Sequence, residues 1–396
     1  MTPNPWLVSA ASLAALLLPI AATAALGKKM TAWKDPKVLD LRISEDRSTV
    51  VLNADSKTLA PGTYGIVMPD THLVVGEVLR HDAGLGEVTR EILRWTGTLD
   101  TGAARGSWTG QTFSSPEELH LNFEEVQLVP RGLPAWVFHP ANPSPDAWAI
   151  HVHGLRSSRQ SMLRSVESAT RLGLTSIVPS YYGDAENHAE GQVSHYGRME
   201  AEDVEKALTY AVERGAKAVY LFGWSMGATI SLLLSETSAN QQVIAGLVLV
   251  SPGPNTEAVI FENARTAGLP RAVAKVVPRI LSTPAVSRLA SLNKPVNFET
   301  LNWTNPVGRL HVPALVLHSR GDTEVPFELS AQFAKSNPET VTLIEFPPVP
   351  HQCEWNSAPA RFEEEIATWI MDREAQRAER LREASSGMQA HPTECR

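Results

Sequence analysis

Three residues set far apart in this chain have the types that turn a hydroxyl into a nucleophile: Ser225 in "YLFGWSMGATI", Asp322 in "HSRGDTEVP" and His351 in "PPVPHQCEW". A serine hydroxyl attacks a carbonyl poorly at neutral pH, so it needs a base within hydrogen-bond reach and a carboxylate that orients the base. Gly223 and Gly227 stand two residues either side of Ser225, with an apolar strand pattern (AVYLFGW) leading in and an apolar helix pattern (MGATISLLLSE) leading out. In that context G-x-S-x-G is a sharp strand-to-helix turn, the nucleophile elbow, which exposes the hydroxyl at the carboxyl edge of a sheet. The two glycines leave room for the turn and for close packing of helix on strand.

The base and carboxylate are expected in the order Ser, Asp or Glu, His, each just beyond a strand. PALVLHS runs into the loop with Asp322, and VTLIEF runs into the loop with His351. Glu324 lies in the same short loop as Asp322 and is the alternative carboxylate. A tetrahedral intermediate also needs backbone N–H donors aimed at its oxyanion. Met226 supplies one by following the nucleophile, and Leu155 in "HVHGL", after an earlier strand, supplies the other, with His153 and Gly154 as supporting residues and Gly154 permitting a tight bend. His151 and His153 stand two apart on a strand and so share a face, yet no third ligand or carboxylate follows nearby; the reading is no metal site. Acyl transfer of this kind needs no cofactor.

These residues must be positioned by a fold, and the pattern names its class. From about Arg131, short apolar runs (AWVFH, AWAIHVH, TSIVPSY, AVYLFGW, IAGLVLVS, PALVLHS, VTLIEF) alternate with helical patterns, as in an α/β protein with a mostly parallel sheet covered on both faces. Arg198 to Gly215 carries Val204, Ala207, Leu208, Ala211 and Val212 at helical spacing and ends on a capping glycine. About sixty residues separate LVLVSPG from PALVLHS, too many for a crossover, so a helical lid is expected at about 254–312, with pieces around Val273–Ile280 and Val286–Leu292. Residues 31–130 read as short β segments split by Gly and Pro, an accessory β-rich region; 131–372 is the α/β unit; 373–396 is a charged tail, a frayed helix and then a loose end. The loop bearing Tyr181, Tyr182, Asp184, His188 and His195 is expected to edge the site.

Composition narrows the partners. The 396 residues are 43% hydrophobic and 20% charged, enough for a large core, and a net charge of −8 gives no basic footprint for nucleic acid. Cys353 and Cys395 make neither a disulfide framework nor a thiolate site. Trp6 to Leu26 is uncharged and about the length that spans a bilayer, roughly 20 residues. No basic residue precedes it and Lys28 and Lys29 follow, which favours a single-pass anchor with the catalytic unit on the cytoplasmic side. The alternative is a signal peptide cleaved near Ala22–Ala25, giving a secreted enzyme.

Over about Arg131 to Asp372 the chain resembles the α/β-hydrolase superfamily, in its bacterial serine esterase and serine aminopeptidase-like branches, through "HVHGL", "GWSMG", "HSRGDTEVP" and "PHQCEW". The resemblance implies Ser225 as nucleophile, His351 as general acid and base, Asp322 as its partner, and Leu155 and Met226 as oxyanion donors. It implies hydrolysis of a small acyl substrate, most simply a carboxylic ester, with an amide or short peptide as alternative. An acyltransferase with the same triad remains open.

Overall fold

The computed structural model of the chain describes residues 35–184, 186, 194–289 and 295–389. The expected leader, His188 and the end of the expected Val286–Leu292 piece lie outside them. Among the described residues no helix is long and apolar enough to cross a membrane.

The amino-terminal β-rich region is a closed barrel of six antiparallel strands: β1 Val38–Ile43, β2 Thr49–Asn53, β3 Tyr64–Met68, β4 Thr71–Asp82, β5 Glu87–Gly97 and β6 Gly102–Thr109, in the order β1-β2-β5-β4-β3-β6. Its strands obey a period of two. In β1 every second residue is buried, so one face enters the barrel and the other meets solvent. Pairing of β6 back onto β1 leaves no open edge.

The rest forms an eight-stranded sheet of order β14-β13-β12-β11-β9-β10-β8-β7, with β7 Asn122–Leu128, β8 Leu133–His139, β9 Ala147–Val152, β10 Thr175–Pro179, β11 Ala218–Trp224, β12 Ile244–Val250, β13 Ala314–Ser319 and β14 Val341–Phe346. Strands β10, β9, β11, β12, β13 and β14 run parallel, and β8 and β7 join antiparallel. The period of two vanishes from burial here: every residue of β11 is buried, because helices cover both faces. Val219 and Leu221 pack into one core with helices α2 Arg198–Glu213 and α3 Met226–Thr237. Tyr220, Phe222 and Trp224 pack into the other, with α1 Leu163–Arg171 and Phe362, Ile366 and Trp369 of the carboxyl-terminal helix. Burying each such side chain contributes about 1.5–3 kcal/mol.

Two boundaries differ from the sequence expectation. The sheet starts at β7, before Arg131, because this edge strand (NFEEVQL) is largely solvent-facing and has no apolar run to betray it. The carboxyl-terminal helix runs Pro359–Gln389, well past Asp372. It persists because Tyr220 Oη donates to Glu374 Oε1 at 2.6 Å and the Arg377 guanidinium pairs with Asp146 at 3.0 Å. In chain order the remaining helices are α4 Thr256–Thr266, α5 Arg271–Ala274, α6 Val277–Leu281 and α7 Pro284–Leu289 in the long β12–β13 interval, then α8 Phe327–Ser336 and α9 Glu354–Ser357; the carboxyl-terminal helix is α10.

The barrel and the sheet meet beside the loop that carries His351. Asn356 Nδ2 donates to Thr63 O (2.6 Å) and Gly110 O (2.9 Å), while Thr63 N donates to Asn356 O (3.0 Å). Arg164, fully buried and stacked over Trp224 at 4.2 Å, donates to Gln352 O and to Asn356 Oδ1. Val349 and Cys353 close the barrel's own apolar cluster. The loop bearing His351 is thus held from both sides.

Candidate active site

Ser225 sits between the end of β11 and the start of α3 at φ 53°, ψ −114°, a conformation that a side-chain-bearing residue adopts only at a cost of about 1–3 kcal/mol. The surroundings enforce it. A Cβ on Gly227 would lie 2.0 Å from Val152 O, and one on Gly223 would lie 2.5 Å from Gly227 O. Helix α3 is therefore pressed onto β9 and β11, and the turn between must be tight. Gly227→Ala is expected to destabilise the fold by about 3 kcal/mol through forced backbone separation, read as a fall in the denaturation midpoint, whereas Ala228→Gly in the same turn of α3 costs about 1 kcal/mol.

His351 Nε2 lies 2.8 Å from Ser225 Oγ, and His351 Nδ1 lies 2.6 Å from Asp322 Oδ2. An ionised carboxylate only accepts, so Nδ1 carries the proton and Nε2 is left to receive the serine's. Burial alone would depress the imidazole's pKa, but the charge of Asp322 and its hydrogen bond outweigh it, and His351 titrates above the ordinary histidine value. Asp322 is buried, which by itself raises its pKa. Two histidines and the Val325 N–H reverse this and hold the carboxyl well below the usual range. Its Oδ1 accepts from Glu324 N and Val325 N, both at 2.8 Å, and its Oδ2 from His351 and from His318 Nε2 at 3.0 Å. Glu324, the alternative carboxylate, instead faces Lys57 Nζ at 3.4 Å on the exposed rim.

His318 was not among the sequence candidates. It is fully buried at the end of β13, and with Nε2–H committed to Asp322 its Nδ1 accepts from Ser330 Oγ at 2.7 Å. Its position four residues before Asp322, on a strand leading to that loop, is the signal that would have found it. Glu354 was missed as well. Burial raises its pKa, and its Oε1 accepts from Ser251 Oγ (2.7 Å) and Ser319 N (3.0 Å), tying the ends of β12 and β13 to the loop of His351.

Leu155 and Met226 line the same cavity as Ser225 and His351, about 980 Å³ in volume. Gly154 serves by its size: its φ is not left-handed, but a Cβ there would lie 2.6 Å from Gln352 Nε2 and 3.3 Å from Ser225 Cβ. The bend expected at Gly154 is replaced by a close approach. His153 stacks on Tyr181 (4.0 Å between ring centroids), donates from Nδ1 to Gly154 O at 3.0 Å, and faces Asp184 Oδ2 at 3.4 Å. Tyr181 Oη donates to His153 O at 2.7 Å. Tyr181 and Asp184, expected at the rim, lie buried beneath the loop of Leu155 and brace it. Tyr182 N donates to Asp203 Oδ2, and His195 is buried with its N–H on Glu200 Oε1. His151 shares no partner with His153: it bonds Ser165 Oγ (2.9 Å) and Ser176 Oγ (3.1 Å), and burial pushes its pKa down to about 3.

Residues 139–365 match the family model described as the alpha/beta hydrolase family, more than half of the chain, and the chain belongs to that family. Residues 38–109, the barrel, match a family described as a domain of unknown function. No curated protein matches the sequence. Among solved structures, the chain is similar to an esterase of Pyrococcus furiosus (19% identity, 65% of this chain and 94% of that one, TM-score 0.48). It is also similar to Est1E of Butyrivibrio proteoclasticus with bound ferulic acid (18%, 64% and 99%, 0.48) and to a thermophilic esterase of Thermogutta terrifontis (18%, 64% and 99%, 0.43).

Proposed function

We propose that this protein is a serine hydrolase that cleaves carboxylic esters through an acyl-enzyme on Ser225. The observation that carries the reading is the unbroken relay from Ser225 Oγ to His351 to Asp322, at 2.8 and 2.6 Å, opening into a cavity. Ser225 Oγ attacks the carbonyl carbon as its proton passes to His351 Nε2. The N–H groups of Leu155 and Met226 hold the oxyanion, a contribution of about 2.7–4 kcal/mol per donor to the transition state. The tetrahedral adduct collapses, the C–O bond to the alcohol breaks, and His351 returns the proton to the leaving oxygen. Water, deprotonated by His351, then attacks the acyl-enzyme and releases the acid and Ser225. His318 holds Asp322 and Tyr181 holds the oxyanion loop; both act through other residues.

A fluorophosphonate probe tests this: it is expected to label Ser225 and no other residue, and labelling elsewhere overturns the assignment. Aminoacyl amides, and esters supplied with added alcohol or amine acceptors, separate the peptidase and acyltransferase alternatives by their products.

No described helix is long and apolar enough to cross a membrane, so in this proposal attachment is assigned to the Trp6–Leu26 segment. That segment is the anchor in this reading, uncleaved and with Ser225 on the cytoplasmic side. Amino-terminal sequencing of the native chain is expected to find an intact leader, and a mature terminus near Ala25 would replace the anchor with secretion.

A further inference from the structure

The barrel is not remote from the chemistry. The cavity over Ser225 and His351 is bounded on one side by Val259 and Ile260 of α4 and on the other by Val67 and Trp108 of the barrel. We propose that the barrel is the substrate-selecting wall of the enzyme, with Val67 on its outer face receiving the larger apolar group of the ester and Trp108, on the inner face opposite Ile66, bracing that wall. The proposal deepens the hydrolase reading and rests on it.

Four observations converge on this. Val67 is 44% exposed in a strand whose preceding three residues are all buried, so it is an apolar side chain turned out of the barrel toward the cleft. Trp108 is half-buried and held in place: its ring stacks on Tyr64 at 4.9 Å and 29°, and the Arg90 guanidinium lies over both rings at 5.3 and 5.4 Å. Arg90 is itself fixed by donating to the carbonyls of Thr58, Ala60, Gly62 and Gly76. Trp108 shares the inner face with Ile66 while Val67 pairs with Ser107 on the outer face, so this bracing holds rigid the strand pair that presents Val67, and the wall loses little freedom on binding. A cavity of about 980 Å³ is also far larger than an acetyl group requires, and sites of roughly 300–1,000 Å³ accommodate much bulkier ligands. Finally, the same barrel packs Val349 and Cys353 either side of His351, so the wall and the base are in fixed register.

The test compares p-nitrophenyl acetate with p-nitrophenyl octanoate on the full chain. Trp108→Ala and Val67→Glu are each expected to lower kcat/KM for the octanoate by about tenfold, through KM, while the acetate changes by less than about twofold. Trp108→Phe is expected to restore most of the octanoate activity. Val67→Glu keeps the result interpretable if Trp108→Ala weakens the barrel, because an exposed position tolerates the change. Equal losses on both esters would mean that the barrel acts only through folding, and no loss on either would mean that the substrate does not reach it; both overturn the proposal. In either case labelling of Ser225 in the wild-type chain leaves the hydrolase reading standing. A chain that neither labels nor hydrolyses either ester overturns both.

Discussion

Ser225→Ala is expected to reduce kcat by about a millionfold, and His351→Ala by nearly as much, while Ser225→Ala/His351→Ala together are expected to be no worse than either alone. In the proposed mechanism the proton and the nucleophilic oxygen move in one event across the 2.8 Å contact, so removing either end is expected to remove the whole step. What survives is the binding cavity and the N–H groups of Leu155 and Met226, which leave a residual acceleration of about 10³–10⁴ over water. The fold is expected to persist in Ser225→Ala, since the hydroxyl's only described partner is His351 and the strained backbone is imposed by Gly223, Gly227 and their close neighbours. Steady-state kinetics with a chromogenic ester, checked by thermal unfolding, measures both. A double variant markedly slower than the singles would show that the two residues act independently, against a shared relay.

Asp322→Asn is expected to lower kcat by about 10⁴ and to move the pH dependence. The asparagine amide donates where the carboxylate accepts, so it favours the wrong tautomer of His351 across the 2.6 Å contact. The sign of the pH effect follows from the same contact. In the native chain Asp322 holds His351 above the ordinary pKa of 6.5 despite burial, and only neutral imidazole accepts a proton from Ser225. Activity therefore rises with pH through a limb centred above 6.5. Without the carboxylate, burial prevails and the limb of the residual activity shifts to lower pH. Glu324→Gln serves as the comparison: Glu324 faces Lys57 at 3.4 Å and raises the pKa of His351 by its charge alone, without a hydrogen bond, so its loss is expected to move the limb in the same direction but less than Asp322→Asn. A larger loss from Glu324→Gln than from Asp322→Asn would exchange their roles.

Much of this was legible in the residues. AVYLFGW coincides with β11, because a strand buried on both faces must be apolar throughout and so announces itself; VTLIEF coincides with β14, a half-exposed edge strand that still carries Val341, Leu343, Ile344 and Phe346. The elbow was legible because only glycine satisfies the 2.0 and 2.5 Å approaches that flank Ser225, a local stereochemical demand that a five-residue motif records. β7 was not legible: an edge strand open to solvent has no such demand on its side chains.

The order Ser225, Asp322, His351 just beyond three apolar runs, those of β11, β13 and β14, was legible in the sequence alone, through periodicity and turn stereochemistry that act over a few residues. Which carboxylate turns inward was decided only in three dimensions. Asp322 is pinned by the N–H groups of Glu324 and Val325 and by His318, while Glu324 stands exposed at the cavity's edge beside Lys57 of the barrel. The barrel's place against the cleft was likewise a tertiary outcome. Thr63, Gly110, Arg164 and Asn356 are distant in the chain, and no local pattern encodes that their hydrogen bonds would bring Trp108 and Ser225 to the same cavity.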